Sequence, residues 1–466
     1  MGKSVSESNT KLKKFSVNRV MLAAPKSGSG KTLITCALLE ALKRRGLDPV
    51  SFKCGPDYID PMFHKKVLGI DNKNLDTYFA GAEGVKNILS KYEGRNVVIE
   101  GVMGLYDGLN VENLEGSSYE IASITGTPIV LIVDASSAGR TVISTIKGIL
   151  LDDRHGLIKG IILNKISENF YKTLAPVMIS ELAESSFDAR LLGFVPKAKD
   201  INLESRHLGL KLPGEIGDLR EQISKAADLL EANVDIDGLL EIMMGARKLC
   251  ASGSSKNDGS RVMSTNLTLA VAYDDAFCFY YKENLEMFER RGVKIAYFSP
   301  LHDKELPADA DGILLGGGYP ELHLDELQSN KSMLASIRTA IASGIPSLAE
   351  CGGFMYLFDV GAIDGSCSDT GKLVRFGYME LESCAETEGY YAKAAGLKGH
   401  EFHYFDSTNN GEACVAKKPN KDTKWNCMIA NNNGFWGFPH FYYGSKPEFV
   451  DAFIDKMKEV ADGKLK

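Results

Sequence analysis

This chain lacks any surplus of positive charge: 54 lysines and arginines face 61 acidic residues, for a formal charge of −7. Nothing there supplies the basic footprint that a phosphate backbone requires, so no nucleic-acid partner is expected. Long apolar runs are missing too. None approaches the roughly twenty residues needed to span a bilayer, which argues against a membrane partner. Met1 to Lys14 is polar and basic with no apolar centre, so residues 1–16 read as a disordered tail rather than an export signal. The nine cysteines are odd in number and contain no C-x-x-C pair. That predicts reduced thiols in a cytoplasm, and neither a disulfide framework nor a zinc site. Short-period repeats and coiled-coil heptads are absent as well. A chain of 466 residues with 44% hydrophobic content then fits a soluble enzyme of two large α/β domains.

Apolar periodicity supports one boundary. Val97-Val98-Ile99, Ile129-Val130-Leu131-Ile132-Val133 and Ile161-Ile162-Leu163 are short, continuous and β-branched, and amphipathic stretches separate them. Such runs suit strands covered on both faces by helices, hence a parallel sheet over residues 17–245. The small polar stretch from Ala251 to Ser260 reads as a linker, placed at 246–265. A second α/β pattern over 266–466 opens with Leu267 to Ala272 and continues at Lys294–Phe298 and Gly312–Leu315.

Two stretches carry most of the chemistry. Pro346-Ser347-Leu348-Ala349-Glu350-Cys351-Gly352-Gly353-Phe354 reads as a buried strand, a tight turn with Cys351 at its tip, and a helix. Ala349 and Gly353 are the small flanking residues that a strained strand-to-helix elbow demands. A helix N-terminus beneath the sulfur favours the thiolate, which is the nucleophilic form. Gly316-Gly317-Gly318 offers backbone N–H donors for an oxyanion, with Gly317 and Gly352 as the candidates. His440, in Phe438-Pro439-His440-Phe441, is the candidate base. At the other end of the chain, Val20 to Ala24 reads as a buried strand leading into Pro25-Lys26-Ser27-Gly28-Ser29-Gly30-Lys31-Thr32 and a helix. This is a phosphate-binding loop with Pro25 in place of the usual first glycine. Gly28 and Gly30 let N–H groups turn onto phosphate, Lys31 neutralises it, and Thr32 offers a hydroxyl to Mg²⁺.

Acidic residues gather downstream of that loop. Gly55-Pro56-Asp57-Tyr58-Ile59-Asp60-Pro61 is stiffened by its prolines and presents Asp57 and Asp60 from a fixed frame. Glu100 closes a buried strand where phosphate-loop proteins place a carboxylate for Mg²⁺, and Asp107 follows in Gly101-Val102-Met103-Gly104-Leu105-Tyr106-Asp107-Gly108. Ligands collect at the carboxyl ends of parallel strands, so Thr32, Glu100 and Asp57 are expected around a metal, with Asp57, Asp60 and Asp107 catalytic. Asn164 follows a strand where related domains contact the base. No Asp stands two residues after Lys165, so the guanine-reading pattern is missing and ATP is favoured. Lys26 reads equally as a solvated loop lysine or as one reaching into a partner copy, which would make the chain a homodimer. Arg206 and His207 read either as substrate-carboxylate contacts or as inter-domain structure. His400 and His403, flanking Glu401, read as structural or substrate-facing.

The cysteine–histidine constellation resembles class I glutamine amidotransferase domains, except that Tyr442 stands two residues after His440, where the usual triad has glutamate. The phosphate loop, K-C-G-P-D-Y-I-D-P, E-G-V-M-G-L-Y-D-G, E-S-R-H-L-G-L, G-G-G-Y-P-E, A-E-C-G-G and G-H-E-F-H-Y follow one another in order. Together they resemble the cobyrinate a,c-diamide synthase family of the cobalamin pathway. That resemblance implies a dethiobiotin-synthetase-like ATP domain joined to an amidotransferase domain without the triad glutamate. It implies ATP, L-glutamine and Mg²⁺, and a corrinoid or related tetrapyrrole acceptor. Two side-chain carboxylates would be phosphorylated to acyl phosphates and attacked by ammonia crossing from the glutaminase. Hydrogenobyrinate and nickel-sirohydrochlorin are alternative acceptors. A partitioning-type ATPase switch with a degenerate amidotransferase module is a third reading, opposed by the Asp57 loop and the intact Cys351 elbow.

Overall fold

The β-branched runs of the N-terminal half become buried parallel strands. In the computed structural model, residues 12–197, 205–206, 209–210, 216–252, 266–384 and 389–464 are described. The chain divides into two units, residues 1–255 and 256–466.

In the first unit, β1 (Leu12–Phe15) precedes β2 (Asn18–Ala23), β3 (Pro49–Cys54), β4 (Asn72–Leu75), β5 (Asn96–Glu100), β6 (Ile129–Asp134), β7 (Ile158–Asn164) and β8 (Arg190–Val195). The last seven form one parallel sheet in the order β4-β3-β5-β2-β6-β7-β8. Val97, Val98, Ile99, Ile129 and Ile161 are fully buried, as strands covered on both faces require. From β2 the chain winds to one side for β3 to β5 and to the other for β6 to β8. The loop leaving β2 therefore emerges where the winding reverses, the place at which open α/β sheets bind ligands.

The tail expected over 1–16 and the linker expected over 246–265 both give residues to a ribbon. β1 pairs antiparallel with β9 (Leu249–Ser252), aligning Phe15 with Leu249. Phe15, Leu249 and Ala251 join the hydrophobic core of this unit. The lysines around Phe15 hid a strand whose apolar partner lies more than 230 residues away. Arg19 ties the same region together from inside. Its buried guanidinium donates to the carbonyls of Val17, Thr125 and Arg247 and to Thr127 Oγ1.

In the second unit, β10 (Thr268–Ala272), β11 (Lys294–Phe298), β12 (Gly312–Leu315) and β13 (Ser347–Glu350) are followed by β14 (Arg375–Cys384), β15 (Lys398–His403), β16 (Cys414–Lys417), β17 (Lys424–Cys427), β18 (Ile429–Ala430), β19 (Gly434–Gly437) and β20 (His440–Phe441). One sheet runs β11-β10-β12-β13-β19-β18, parallel except for the edge strand β18. A second, antiparallel sheet runs β17-β16-β14-β15-β20. Among the described residues two core clusters lie in this unit, one centred on Phe288, Phe435 and Phe453 and one on Phe277, Phe354 and Leu357.

The expectation of wholly reduced cysteines is corrected here. Cys384 and Cys414 are directly opposed in the β14–β16 register and form a disulfide. Sequence spacing cannot reveal a cross-strand pair. Among the described residues no helix is long and apolar enough to cross a membrane.

Candidate active sites

The phosphate loop runs from β2 into α1 (Lys31–Arg44). Its N-cap, Gly30, has φ 92°, and a Cβ there would lie 2.2 Å from the Asn164 amide nitrogen. Only glycine fits that place. Gly28, at φ 75°, turns the loop before it.

Lys31 and Thr32, at the mouth of α1, find partners inside the loop system. Lys31 Nζ donates to the Met103 carbonyl at 2.6 Å, and Met103 adopts a left-handed backbone (φ 49°) that aims this oxygen. Burial, reinforced by nearby Lys53, brings Lys31 down to about 8. Thr32 Oγ1 donates to Glu100 Oε1 at 2.6 Å.

Glu100, at the end of β5, lies beside Lys53, at the end of β3. Lys53 Nζ donates to Glu100 Oε1 at 2.8 Å and to Asp60 Oδ2 at 2.5 Å, with Asp57 Oδ2 at 3.9 Å. Burial opposes the Lys53 charge, but Asp60 and Glu100 outweigh it and hold the ammonium well above its ordinary range. Burial acts upward on both acids. Lys53 reverses this for Asp60, which ends below its usual value, whereas Glu100 stays raised. Lys53 was missed as a candidate site residue. The available signal was its position at the carboxyl end of a parallel strand, four residues before Asp57.

Two of the expected acids have backbone partners. Asp57 Oδ1 accepts from Ile59 N (2.8 Å) and Asp60 N (3.2 Å), stapling the start of α2 (Ile59–Phe63). Enclosure and the neighbouring Asp60 charge raise it. Asp107 Oδ2 accepts from Gly104 N at 2.9 Å, closing a turn in the glycine loop, and Leu105 N donates to Ala24 O at 2.8 Å to tie that loop to the phosphate loop. Each acid therefore shapes a loop with part of its carboxylate. Asn164 donates to Ser29 O at 2.8 Å and Lys165 Nζ to Gly28 O at 2.9 Å, so this pair braces the phosphate loop. The Asn164 side-chain oxygen also accepts from Lys165 N at 2.9 Å.

The metal expectation can be tested on the donors. Glu100 Oε2 is buried with no hydrogen-bond partner, beside an oxygen already joined to Thr32. Such a hard oxygen suits Mg²⁺, which takes one or two protein oxygens and completes its shell with phosphate and water. Among the described residues no group of three or more His, Cys, Asp or Glu is arranged to hold a metal ion by itself.

In the second unit, β13 ends at Glu350, and Cys351 turns at φ 47°, ψ −105° into α3 (Gly352–Val360). The elbow is as expected. A Cβ on Gly353 would meet the Leu315 carbonyl at 2.2 Å. The Cys351 N–H is used by Gly437 O at 2.9 Å, while the Gly352 N–H is directed at the sulfur. The segments carrying the two proposed oxyanion glycines abut, since a Cβ on Gly352 would lie 3.2 Å from Gly318 N. His440 closes the other side: a Cβ on Gly317 would stand 2.3 Å from its ring.

Two opposed influences act on the Cys351 sulfur. Burial pushes the Cys351 thiol up, and the Gly352 N–H only partly counters it. Burial, with His400 and His403 nearby, holds His440 far below the ordinary histidine range. His400 faces His440 across the β15–β20 register and stacks on it at 5.0 Å. His403 bridges Glu401 Oε2 (2.9 Å) and the Phe405 carbonyl (2.6 Å). Tyr442, in the place of the triad glutamate, packs edge-on against Tyr281. Lys26 is exposed. Of the Arg206–His207 pair, His207 and the Arg206 side chain lie outside the described residues.

Comparisons with known proteins match this division. Residues 20–210 match the CobQ/CobB/MinD/ParA nucleotide binding domain, and residues 268–445 the CobB/CobQ-like glutamine amidotransferase domain. The chain is 38% identical to a cobyrinate a,c-diamide synthase of Clostridium tetani, over 94% of this chain and 99% of that one. It is 36% identical to that of Caldanaerobacter subterraneus (94% and 97%) and 37% identical to that of Clostridium acetobutylicum (93% and 99%).

Proposed function

The chain belongs to the cobyrinate a,c-diamide synthase family, and on that premise we propose how its two units share the reaction. It is an ATP-dependent ligase that takes nitrogen from glutamine in cobalamin biosynthesis, and its acceptor is a tetrapyrrole. In our reading the acceptor is cobyrinate, amidated at its a and c carboxylates. One observation carries this assignment: the Cys351 elbow and the Lys31–Thr32–Glu100 phosphate site occur in a chain that follows these relatives over 94% of its length.

A carboxylate resists amidation because its carbonyl carbon is electron-rich and oxide is a very poor leaving group. Transfer of the γ-phosphoryl group to a carboxylate oxygen, with ADP departing, removes both obstacles. Two anions must meet for that transfer, so neutralising charge has to be in place beforehand. Lys31 would turn from the Met103 carbonyl to the phosphates when nucleotide binds. Lys53, charged between Asp60 and Glu100, holds those two carboxylates in place at the carboxyl ends of β3 and β5. Thr32 Oγ1 and Glu100 would hold Mg²⁺, which when bound lends further neutralisation to the phosphates. Asp57 and Asp107 fix the two loops around the acyl phosphate, with one oxygen each on the backbone. Ammonia then adds to the acyl carbon and phosphate leaves.

Ammonia comes from glutamine. Cys351 Sγ attacks the side-chain carbonyl while His440 takes the thiol proton and passes it to the departing ammonia. Water hydrolyses the resulting thioester to glutamate. The Gly317 and Gly352 N–H groups stabilise the oxyanion. The proposal places this chemistry in the cytoplasm, with exposed Lys26 reaching a second copy of the chain.

The test incubates the protein with ATP, glutamine and, in turn, cobyrinate, hydrogenobyrinate and nickel-sirohydrochlorin. Mass spectrometry should show two carboxylates of cobyrinate converted to amides. Turnover of another tetrapyrrole with cobyrinate untouched would reassign the acceptor.

A further inference from the structure

The missing triad carboxylate leaves a physical problem: something must hold His440 in register with the Cys351 elbow. The chain after His440 is gripped by two buried side chains instead. Glu350 Oε2 accepts from Phe441 N at 3.4 Å, and Glu350 Oε1 accepts from the Tyr443 hydroxyl at 2.7 Å. Asn284 Nδ2 donates to Phe441 O at 2.7 Å, and Asn284 Oδ1 accepts from Tyr443 N at 2.8 Å. Tyr442 N donates to Lys398 O at 2.9 Å. These bonds flank position 442, where the orienting glutamate would stand. Glu350 is also covalently next to the nucleophile, so a single residue joins the cysteine-bearing strand to the histidine-bearing one.

We propose that Glu350 is the positioning residue that replaces the triad carboxylate, clamping the backbone beside His440 to the Cys351 elbow instead of bonding the imidazole. A triad carboxylate acts by charge on the ring, whereas this clamp acts by geometry. Burial pushes Glu350 up to about 8 even against its two donors. A neutral group in its place is therefore tolerated. A glutamine can take the Phe441 N–H on its oxygen and give an amide N–H to the Tyr443 oxygen, so Glu350→Gln preserves both links. Glu350→Ala removes both, and an ångström of drift in a catalytic base costs on the order of a hundredfold.

The inference rests on the glutaminase reading above, and its test separates the two. Full-length Glu350→Ala, Glu350→Gln, Tyr443→Phe and Cys351→Ala variants would be assayed for glutamine hydrolysis and for synthesis driven by ammonium salts. Expected for Glu350→Ala is a fall in glutaminase kcat of about a hundredfold with KM for glutamine within about twofold and ammonium-driven synthesis intact. Glu350→Gln should restore most of kcat and leave the pH profile unchanged, and Tyr443→Phe should lose a smaller part of kcat. A Glu350→Gln variant as poor as Glu350→Ala would mean that charge acts on the ring, which overturns the clamp. So would wild-type kcat in Glu350→Ala. Should Glu350→Ala fail to fold, Tyr443→Phe decides, and an unaltered kcat there overturns the clamp. Glutamine hydrolysis by Cys351→Ala at the wild-type rate would instead sink the glutaminase reading itself.

Discussion

At the end of β2 and its neighbours, opposite charges lie in direct contact, with Lys53 between Asp60 and Glu100. At the end of β13 the proposed reacting groups are a thiol and an imidazole that burial drives toward their neutral forms. The two settings suit their tasks. In the proposed phosphoryl transfer anions meet, so charged groups fixed before the substrate arrives lower its barrier. Thioester formation starts from neutral partners and creates charge only along the way. There the elbow and the glycine N–H groups must be in position, while fixed charge is of less use. The first unit is organised by charge, and its loops are braced to hold that charge. The second is organised by backbone path.

The sharpest break of this comparison is Cys351→Ala. Glutamine-driven amidation should disappear and ammonium-driven amidation persist, both followed by product mass. Next comes Lys31→Ala, expected to slow synthesis about a hundredfold or more, the scale of one lost transition-state contact, with glutaminase turnover retained. If Lys31→Ala turned over ATP normally, the charge-organised half of the comparison would fall. Lys53→Met should leave Asp60 and Glu100 buried without their cation, destabilising the first unit by about 3–5 kcal/mol. Calorimetry would show that loss as an earlier transition.

Smaller effects are expected where an acid works by one oxygen. Asp57→Asn and Asp107→Asn keep an acceptor for Ile59 N and Gly104 N, so melting temperatures should hold. Synthesis with either nitrogen source should fall by about tenfold or more, the size of a charge-assisted contact. Lowered stability with normal synthesis would make both residues loop formers only.

The smallest effect is in pH. In the second unit His400, at about 3, and His440 sit below their unfolded values, while Glu350 sits above its own. Between roughly pH 4.5 and 6.5 the unfolded state binds two histidine protons that the fold refuses, and the fold keeps one carboxyl proton. Stability therefore rises with pH across that window, by about 1.4 kcal/mol per unit for the net proton. In the first unit His64 is lowered to about 4, but Asp57 and Glu100 are raised, which offsets or reverses the slope. Trp425 and Trp436, the only tryptophans, both lie in the second unit, so denaturant titrations read by their fluorescence follow it alone. A midpoint independent of pH would contradict the neutral-histidine picture.

The local motifs were legible because local physics writes them. Glycines spaced in the phosphate loop, β-branched runs for the parallel sheet, and Ala349 with Gly353 around Cys351 each state a backbone requirement within a few residues. What could not be read depends on distant pairing. Lys53 meets Glu100 only because β3 and β5 are neighbours in register. Asn164 reaches Ser29 only because β7 ends beside the phosphate loop. The ribbon of Phe15 with Leu249 and the Cys384–Cys414 bond are both products of strand register. Burial of the Cys351 sulfur, which works against the helix N-terminus, is likewise a tertiary quantity.

The backbone at Cys351 has a consequence for selection. A side chain held at φ 47°, ψ −105° costs about 1–3 kcal/mol relative to a relaxed conformation, and glycine would escape most of it. The wild-type fold thus carries a standing penalty that only turnover justifies. Gene copies freed from the need to make amides should drift toward glycine at this position and become more thermostable as they lose the reaction. A library screened for heat resistance alone would enrich the same dead variants, so stabilising this enzyme requires an activity screen at every round.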